Sequence, residues 1–425
     1  MKVLIVNDGP PGLSGSGGTE IHIRQLKEVL SAQGVETAIL ASQRRGLPDR
    51  MEEDLFLIAD LNAPPFRKHP LKNIRNQQAA LKKAGGIIRR FAPDVIHVHN
   101  FVNAAVLRLL RESGPLVKSL HDCRPFCVKP PPVVASRLIG DTGEFCDITF
   151  GCQCWKYCYA HAGRTPVERV EAWSFFLANL RARDETLRVD RIIAYSRYLK
   201  ELALRRFTDE SRIHILHHFS DAEEASAGFE IQPVDEPVFL FAGRFSFEKG
   251  PLHIFQALER IPDISCRVIL AGDGSLREEI ELRARAVSPR HKIELPGYVD
   301  QAQLYDLYRR SSVLLFPSFG SEGCGLVGIE AMYFGNTAIG YDTGGAGEWL
   351  VDGQTGIRVK SGDVDGLARA MAQLATHPAE TLRLRRQARD FVSRKFRREM
   401  HISQLIEVYE QAINDRRTPF YEKNR

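Results

Sequence analysis

The sequence predicts an α/β protein of two doubly wound domains, each with a parallel sheet covered by helices on both faces. Short apolar runs rich in valine and isoleucine alternate with longer segments of helical spacing along the 425 residues. Most of these runs are apolar throughout, which is typical of strands buried on both faces. An acidic, proline-bearing stretch at 221–237 separates two such series, so we predict an interdomain linker there.

The first domain is predicted over residues 1–220. Its first helix is expected at 20–33, and its strands are expected at 3–6, 35–40, 95–98, 116–120 and 191–194. The glycine-rich loop 9–18 follows the first strand and is either an anion-binding cradle or a flexible turn. This loop contains no G-x-G-x-x-G, so it does not indicate a dinucleotide cofactor.

The second domain is predicted over residues 238–398. Its strands are expected at 238–242, 267–271, 293–295, 313–316 and 337–340, with helices between them. A last helix is predicted within residues 399–425, because apolar residues recur at helical spacing between 399 and 414. A cleft between two such domains is the expected place for an active site.

Composition favours a globular chain of the reducing cytoplasm. Hydrophobic residues make up 44% of the sequence, which is ample for large buried cores. The first apolar run is too short for a signal peptide, and no uninterrupted apolar run approaches the roughly 18 residues that span a bilayer. In the cytoplasm, the eight cysteines are expected as thiols or metal ligands more readily than as disulfides.

Residues 67–90 form a basic segment. No acidic residue lies between Asp60 and Asp94, whereas the segment carries Arg67, Lys68, Lys72, Arg75, Lys82, Lys83, Arg89 and Arg90. Such a segment suits peripheral contact with an anionic membrane at its inner face, or an anionic acceptor. A solvated helix face is the equal alternative. Nucleic acid is not expected as a partner, because no zinc-finger, RNP-like or basic-zipper pattern accompanies these residues.

The stretch 318–335 is the predicted centre of the functional site. It follows an apolar run, passes through a glycine-rich turn and continues as a helical pattern that stops at Gly335. A strand, a glycine turn and a helix make an anion-binding geometry, because the first helical turn presents N–H groups. Glu322 and Glu330 bracket the turn with seven residues between them. These carboxylates suit the hydroxyls of a sugar or a ribose, or, taken alone, an ordinary loop and helix cap.

This stretch resembles the E-x7-E signature of retaining glycosyltransferase family 4, whose members have the GT-B fold. The resemblance implies two Rossmann-like domains that face a cleft, with the last helix (399–425) crossing back to the first domain. It assigns Glu322 to sugar hydroxyls and Glu330 to the ribose. Family members usually carry a bulkier residue at Cys324 and a proline near Asn336, so local packing is expected to differ here. The donor is also expected to contact the turn residues Gly323, Cys324, Gly325 and Leu326.

A second motif follows the first strand of the second domain. Residues 243–250 read G-R-F-S-F-E-K-G and resemble the phosphate-binding loop of the same family. Arg244 and Lys249 would bring a fork of N–H donors and a mobile ammonium to one anion, as a departing diphosphate requires. Each taken singly is typical of a solvent-exposed side chain. Together with Glu322 they carry the catalytic assignment.

Further donor contacts in the second domain are implied by the resemblance. Gly272 and Gly274 form a tight turn that is similar to the family's G-x-G near the donor. Tyr298 and Val299 match the strand that walls the nucleobase, where they would contact it by stacking or through backbone groups.

In the first domain the resemblance indicates two places. The loop 9–18 is similar to the family's Gly-Gly loop through Gly17 and Gly18. His121 closes a predicted strand and matches a catalytic-site histidine near the donor sugar, where a neutral imidazole donates or accepts a hydrogen bond. His97 and His99 alternate with valine and face one side of their strand, and for His97 we expect a structural role.

Six of the eight cysteines fall between 123 and 158, in a predicted insertion at about 123–161. A structural zinc ion would take four ligands from these thiolates, or include a histidine such as the nearby His161, and would stabilise a loop that has little hydrophobic periodicity. An iron–sulfur cluster also uses four thiolates, and free thiols or disulfides are the alternative because the spacings are irregular. The candidate metal ligands are Cys127, Cys146, Cys152, Cys154 and Cys158.

These resemblances imply a hexosyltransferase that moves a sugar from a UDP- or GDP-linked donor to an acceptor with retention of configuration. Cell-surface polysaccharide, glycolipid or small-molecule glycoside synthesis is the expected setting. Cationic side chains at the diphosphate would make a metal unnecessary for catalysis. The alternatives are a nucleotide-sugar epimerase of the same fold and a non-catalytic nucleotide-sugar-binding protein. The presence of Arg244, Lys249 and Glu322 argues against the second alternative.

Overall fold

The computed structural model describes residues 1–11, 18–44, 46–62, 70–101, 103–122, 165–205, 209–287, 289–320 and 322–417. These residues group into two units. The first unit takes in the described residues up to Leu216 together with those from Glu399 onward, and the second takes in those from His217 to Arg398. Within the described ranges, the helices are all too short or too polar to cross a membrane.

A mixed sheet organises the first unit. Its strands run in the order β3-β4-β2-β1-β5-β6-β7-β8, and neighbours are parallel except for the antiparallel pair β3 and β4. The apolar run of the first strand is fully buried, as a strand covered on both faces requires. The strands are β1 (Lys2–Asn7), β2 (Glu36–Ser42), β3 (Arg50–Met51), β4 (Leu55–Ile58), β5 (Val95–Val98), β6 (Leu116–Leu120), β7 (Arg191–Ala194) and β8 (Ile213–Ile215).

Helices connect these strands, and local caps fix where two of them begin. Asn103 accepts the N–H groups of Ala105 and Val106 at the start of α3 (Ala104–Ser113). Thr165 and Glu168 form a reciprocal capping box at the start of α4 (Pro166–Thr186). The other helices of this part of the chain are α1 (Gly18–Ala32), α2 (Pro70–Phe91) and α5 (Arg197–Leu204).

Helix α2 contains most of the basic segment 67–90. Arg75, Lys82, Arg89 and Arg90 are exposed on it, and Lys83 pairs with Asp49 at 2.5 Å. The described part of the segment is therefore a charged, solvated helix face. The contact with an anionic membrane stays a prediction.

A wholly parallel sheet organises the second unit, in the order β11-β10-β9-β12-β13-β14. Its core is apolar on both faces and includes Phe239, Leu270, Leu315 and Met371, each at most 1% exposed. The strands are β9 (Val238–Ala242), β10 (Arg267–Ala271), β11 (Lys292–Gly297), β12 (Val313–Phe316), β13 (Thr337–Tyr341) and β14 (Gly356–Val359). With the first sheet, this arrangement confirms the predicted α/β class with two doubly wound domains.

The helices of the second unit cover both faces of its sheet. Asp300 and Gln303 form a capping box at the start of one of them, α9. Short 3₁₀ turns at Phe247–Lys249 and Gly344–Glu348 follow β9 and β13. The helices are α6 (Ala222–Ala225), α7 (Pro251–Glu259), α8 (Arg277–Ala286), α9 (Gln301–Arg310), α10 (Leu326–Tyr333), α11 (Val364–Thr376) and α12 (Pro378–Lys395).

The last described helix, α13 (Arg398–Arg417), belongs almost entirely to the first unit. The phenol of Tyr409 is hydrogen bonded to His97 Nδ1 at 2.7 Å, and Arg416 Nε donates to Asp190 Oδ1 at 2.9 Å. These contacts join α13 to β5, which contains His97, and to Asp190, which directly precedes β7.

The stretch 221–237 lies with the second unit and is held there by arginines. Arg385 donates to the carbonyl oxygen of Gln232 at 2.9 Å, and Arg389 donates to that of Phe229. Arg398 pairs with Asp221 at 2.9 Å. These contacts tie the start of the second unit to its last helices.

Candidate active site

The loops that follow β9, β10, β11 and β12 lie at one edge of the second sheet, because parallel strands end on the same side. Arg244, Gly272, Tyr298 and Glu322 follow these four strands in turn. The strand order reverses between β9 and β12, so their loops flank the place where doubly wound sheets bind ligands. The predicted residues of the second unit are therefore gathered at this edge.

The loop after β9 folds closely against the loop after β12. Gly250 has a φ of +65°, and a Cβ at this position would lie 2.1 Å from the carbonyl oxygen of Pro317. The N–H groups of Phe319 and Gly320 donate to the carbonyl oxygen of Glu248 at 3.1 and 3.2 Å. Only glycine fits at position 250, so the sequence fixes how closely the two loops approach.

Lys249 and Glu322 form an ion pair between these loops. Their side chains are 25% and 15% exposed, so the pair is partly desolvated and still open to a ligand. Arg244 lies earlier on the same loop and its side chain is exposed. The neighbouring Phe245 is buried, and its N–H donates to the carbonyl oxygen of Asp273 at 2.9 Å, which anchors the loop beneath the arginine.

The backbone of Glu322 is held by the glycine-rich turn after β13. The N–H of Gly345 donates to the carbonyl oxygen of Glu322 at 2.8 Å. Gly344 has a φ of +50°, and a Cβ there would lie 2.3 Å from that same oxygen. Thr343 Oγ1 donates to the carbonyl oxygen of Gly320 at 2.8 Å. The turn Gly344–Glu348 therefore supports the backbone of the loop that carries Glu322.

A buried ion pair anchors the far end of this turn. Lys395 Nζ, at the end of α12, donates to Oε2 of Glu348 at 2.8 Å and to its carbonyl oxygen at 2.7 Å. Glu348 is 5% exposed, and His217 Nδ1 lies 3.9 Å from the same Oε2. Sequence reasoning missed this pair, because its members lie 47 residues apart and share no local spacing.

The turn 323–326 leads into α10, whose first residue is Leu326. The N–H groups of a first helical turn have no acceptor within the helix, which suits an anion. Cys324 is buried, burial raises the pKa of its thiol, and Trp349 Nε1 donates to its carbonyl oxygen at 2.7 Å. A ligand contact at this residue would therefore use the backbone and not the thiol.

Glu330, one turn into α10, is a buried carboxyl group with only 8% exposure. Its two oxygens accept hydrogen bonds from Ser220 Oγ at 2.9 Å and from the phenol of Tyr308 at 3.2 Å. Burial raises the pKa of Glu330 to about 7, and the two donors counteract part of that rise. Glu330, the residue predicted to bind the ribose, is thus held by two hydroxyl groups of the second unit.

Gly272 and Gly274 are explained by close backbone packing. A Cβ at Gly272 would lie 1.9 Å from the carbonyl oxygen of Gly243, and one at Gly274 would lie 2.5 Å from that of Phe245. The loop after β10 therefore supports the loop that carries Arg244. A direct contact of either glycine with a donor stays a prediction.

The predicted nucleobase wall is exposed. Tyr298, directly after β11, is 61% exposed, and Val299 is half-buried. A Cβ at Gly297 would lie 3.3 Å from the guanidinium of Arg277, so a cation lies beside this strand end. Arg277 is paired with Glu281 at 2.9 Å, which fixes it along α8.

In the first unit, His121 belongs to a histidine cluster made of His22, His97, His99, His121 and His401. His121 Nε2 is hydrogen bonded to His99 Nδ1 at 2.8 Å. His97 is hydrogen bonded through Nε2 to Ser119 at 2.8 Å, as well as to α13. His97 is a core residue, in agreement with the structural role expected for it. The donor role of His121 stays a prediction.

Three histidines of the cluster have lowered pKa values. Burial lowers the pKa of His22 and of His99 well below their usual value, with further lowering by neighbouring histidines. Burial likewise lowers the pKa of His97 to about 3, and His401 adds to the effect. Because burial penalises the charged imidazolium, His22, His97 and His99 are neutral at ordinary pH.

Some predicted residues lie outside the described part of the chain. Gly18 is the first residue of α1, whereas Gly17 lies outside the described residues, as do Cys127, Cys146, Cys152, Cys154 and Cys158. Among the residues that the structure describes, no group of three His, Cys, Asp or Glu side chains could hold a metal ion. The zinc and iron–sulfur hypotheses for the cysteine-rich insertion stay predictions.

Comparison with known families places the chain. The model for Glycosyltransferase Family 4 matches residues 16–224, and the model for Glycosyl transferases group 1 matches residues 224–391. The chain belongs to the family 4 glycosyltransferases. The two matches meet close to the boundary between the two structural units at His217. The family predicted from the E-x7-E stretch is thereby confirmed, and the protein is a transferase.

Relatives with assigned activities are distant but align over nearly the whole length. A D-inositol 3-phosphate glycosyltransferase of Xylanimonas cellulosilytica is 25% identical, with 98% of this chain and 97% of the relative aligned. A glycogen synthase of Mycobacterium tuberculosis is 24% identical, with 99% and 97% aligned. Both are sugar-transferring enzymes by name, and they differ in the acceptor.

Solved structures give the fold of this glycosyltransferase as GT-B. The protein Alr3699/HepE of Anabaena, in complex with UDP, has a TM-score of 0.65 at 16% identity and covers 96% of this chain and 100% of its own. The sucrose-phosphate synthase of Thermosynechococcus elongatus has a TM-score of 0.66 at 21% identity and covers 98% and 100%. At these identities, the likeness establishes the fold alone.

Proposed function

We propose that this glycosyltransferase transfers a hexosyl group from a nucleoside diphosphate sugar to an acceptor hydroxyl, with retention of the anomeric configuration. The observation that carries the proposal is the contact of Lys249 with Glu322 where the loops after β9 and β12 meet, beside the glycine turn that begins α10. An ammonium, a carboxylate and helix N–H groups at one place suit a sugar that is joined to a diphosphate.

A UDP-linked sugar is the donor that we favour over a GDP-linked one. The Anabaena protein of similar fold has been solved in complex with UDP and in complex with UDP-glucose. Stacking of the nucleobase on the exposed ring of Tyr298, directly after β11, would serve either donor.

The cations of the β9 loop would stabilise the departing diphosphate. An ammonium has three N–H donors, so Lys249 can keep its bond to Glu322 and still donate to a phosphate oxygen. Arg244 adds a fork of donors, and the N–H groups at Gly325 and Leu326 add the helix end. Loss of one such donor raises the barrier by about 3 kcal/mol, which is a hundredfold in rate or more.

The carboxylates would orient the donor. Glu322 accepts hydrogen bonds from sugar hydroxyls, and its backbone is already fixed by the turn after β13. Glu330 accepts hydrogen bonds from the ribose. The near-attack geometry that such clamps enforce supplies a large part of the rate enhancement in transfer reactions.

Retention is proposed without a covalent intermediate on the protein. The bond from the anomeric carbon to the phosphate oxygen breaks, and the acceptor oxygen attacks the same face. The departing phosphate oxygen takes the proton of the acceptor hydroxyl, so no protein base is required. Glu322 is committed to an ion pair with Lys249, which favours a binding role over that of a nucleophile.

An experiment on nucleotide release separates transfer from epimerisation. UDP release from UDP-glucose is measured alone and with acceptors that the relatives' names suggest, an inositol phosphate and a glucan, and with a lipid extract. A transferase is expected to release UDP faster with one of these acceptors than without any. Rapid release that no acceptor changes, with a rearranged free sugar as the product, would favour the epimerase instead.

A further inference from the structure

Two buried hydroxyl groups hold the carboxylate of Glu330. Ser220 Oγ donates to Oε1 at 2.9 Å, and the phenol of Tyr308 donates to Oε2 at 3.2 Å. Ser220 is 1% exposed, and Tyr308 is fully buried. A buried hydroxyl group can orient its acceptor only if its own orientation is fixed. Local contacts fix the orientation of Ser220 and of Tyr308.

Ser220 is oriented by its own segment. It lies just before α6, and its oxygen accepts the N–H of Ala222 at 3.3 Å. The Ser220 oxygen thus accepts one hydrogen bond, and its single O–H donates to Glu330. The hydroxyl therefore connects the beginning of the second unit to α10.

Tyr308 is oriented by the packing of α9 against the end of α10. Its ring stacks on that of Phe334, with centroids 5.8 Å apart. The side-chain amide of Asn336 donates to the carbonyl oxygens of Tyr308 at 2.8 Å and Ala331 at 3.1 Å. The side chain of Asn336 thus ties α9 to α10.

We propose that Tyr308 and Ser220 are positioning residues, which orient the carboxylate of Glu330 to accept hydrogen bonds from the ribose of the donor. Each carboxylate oxygen offers about two lone-pair sites, and the two described hydrogen bonds use one on each. One site on each oxygen is left for the 2′- and 3′-hydroxyl groups. The 8% exposure of Glu330 gives a ligand an edge to reach. This inference rests on the proposed function.

The same two donors also control the charge of Glu330. Burial raises its pKa to about 7, and both O–H donors hold the pKa below the value that burial alone would give. The nearby Asp221 raises the pKa further, although it is itself paired with Arg398 at 2.9 Å. Burial also raises the pKa of Tyr305 and of Tyr308, so both phenols are neutral. Removal of one donor should therefore move the formation of the carboxylate to higher pH.

The test compares ribose recognition in the wild type and in Tyr308→Phe. Binding of UDP, 2′-deoxy-UDP and 3′-deoxy-UDP is measured by calorimetry across pH 6–9, with GDP in parallel. We expect the wild type to prefer UDP over each deoxy analogue by about tenfold, the contribution of one hydrogen bond to a charged group. Tyr308→Phe should lose most of this preference, weaken the binding of UDP more than that of either deoxy analogue, and shift the acidic limb of UDP binding to higher pH.

Tyr333→Phe is the matched control, because it removes another buried phenol from α10, one that donates to the carbonyl oxygen of Phe396. It should keep both the preference and the pH limb. Ser220→Ala tests the same inference with a smaller deletion. If the wild type discriminates and both Tyr308→Phe and Ser220→Ala discriminate equally well, the positioning role is wrong and the proposed function stands. If the wild type binds neither UDP nor GDP, the proposed function itself fails.

Discussion

Truncation of Arg244 tests whether cationic side chains stabilise the departing diphosphate. Its side chain is exposed, so a truncation leaves the core intact. We predict that Arg244→Ala lowers kcat for sugar transfer by about a hundredfold, because one charge-stabilising donor is lost. Steady-state kinetics measure the loss, and the melting temperature should stay within a degree or two of the wild type.

Arg369→Ala is the control for that prediction. Its side chain is 74% exposed, and it lies on α11, a different element from the β9 loop. Its kinetics should match those of the wild type. An Arg244→Ala enzyme as active as this control would remove Arg244 from the mechanism.

The histidine cluster makes the first unit sensitive to acid. The pKa of His97 is about 3 in the fold, against 6.5 for an ordinary histidine. Below pH 6.5, the unfolded chain binds a proton that the folded chain refuses, so stability is complete above pH 6.5 and is lost as the pH falls toward 3. At pH 5, His97 alone accounts for about 2 kcal/mol of this loss.

Urea unfolding at pH 7.5 and at pH 5 measures that loss. His97→Gln should be less stable than the wild type at pH 7.5, yet should lose less stability between the two values, because a titrating group is gone. The exposed His377→Gln is the control and should behave as the wild type. An unchanged pH dependence in His97→Gln would contradict the account of the cluster.

At the scale of residues, the sequence motifs named two side chains that the fold brings together, while their roles stay predictions. The G-R-F-S-F-E-K-G loop and the E-x7-E stretch contained Lys249 and Glu322, and the structure brings these two into contact. Sequence could not reveal the partners that hold such residues. Lys395 braces the turn behind Glu322 and Ser220 holds Glu330, both across long separations that only the fold closes.

At the scale of elements, the turn Gly344–Glu348 holds the backbone of Glu322 in place. We predict that Gly344→Ala lowers kcat by a hundredfold or more. A Cβ there meets the carbonyl oxygen of Glu322 at 2.3 Å, and a φ of +50° strains any other residue, so Glu322 must shift. Steady-state kinetics and the melting temperature together measure the effect.

Gly347→Ala is the matched control within the same turn. A Cβ at Gly347 would meet no atom within 4 Å. Its activity should stay close to that of the wild type. Equal activity of the two variants would show that the turn does not set the position of Glu322.

Strand positions were predictable where a long apolar run was buried on both faces. The strands at 95–98, 116–120, 191–194, 238–242 and 267–271 have the expected bounds. β4 was overlooked although Leu55–Ile58 is as apolar as the strands that were predicted, and β8 and β14 were missed as well. β8 has three residues, and β14 alternates glycine and arginine with apolar residues, so neither presents an unbroken run. The antiparallel β3 has only two residues and depends on its pairing with β4.

At the scale of the whole molecule, sequence and structure agree on the family and the fold class. Two doubly wound units are present, and each reverses its strand order once at its centre, between β1 and β5 and between β9 and β12. The relatives carry the names of different sugar-transferring enzymes, so the fold by itself does not determine the acceptor. The sequence motifs were therefore sufficient to predict a glycosyltransferase. They do not identify the acceptor, because acceptor recognition depends on side chains outside the motifs.

The configuration of the product tests the central claim most directly. Transfer from an α-linked UDP-sugar to the accepting hydroxyl is followed by proton NMR, which reports the rate and the anomeric configuration in one time course. We predict an α-linked product from the wild type, and a rate about a hundredfold lower in Arg244→Ala with the same configuration. A β-linked product, or an Arg244→Ala enzyme that works at the wild-type rate, would contradict it.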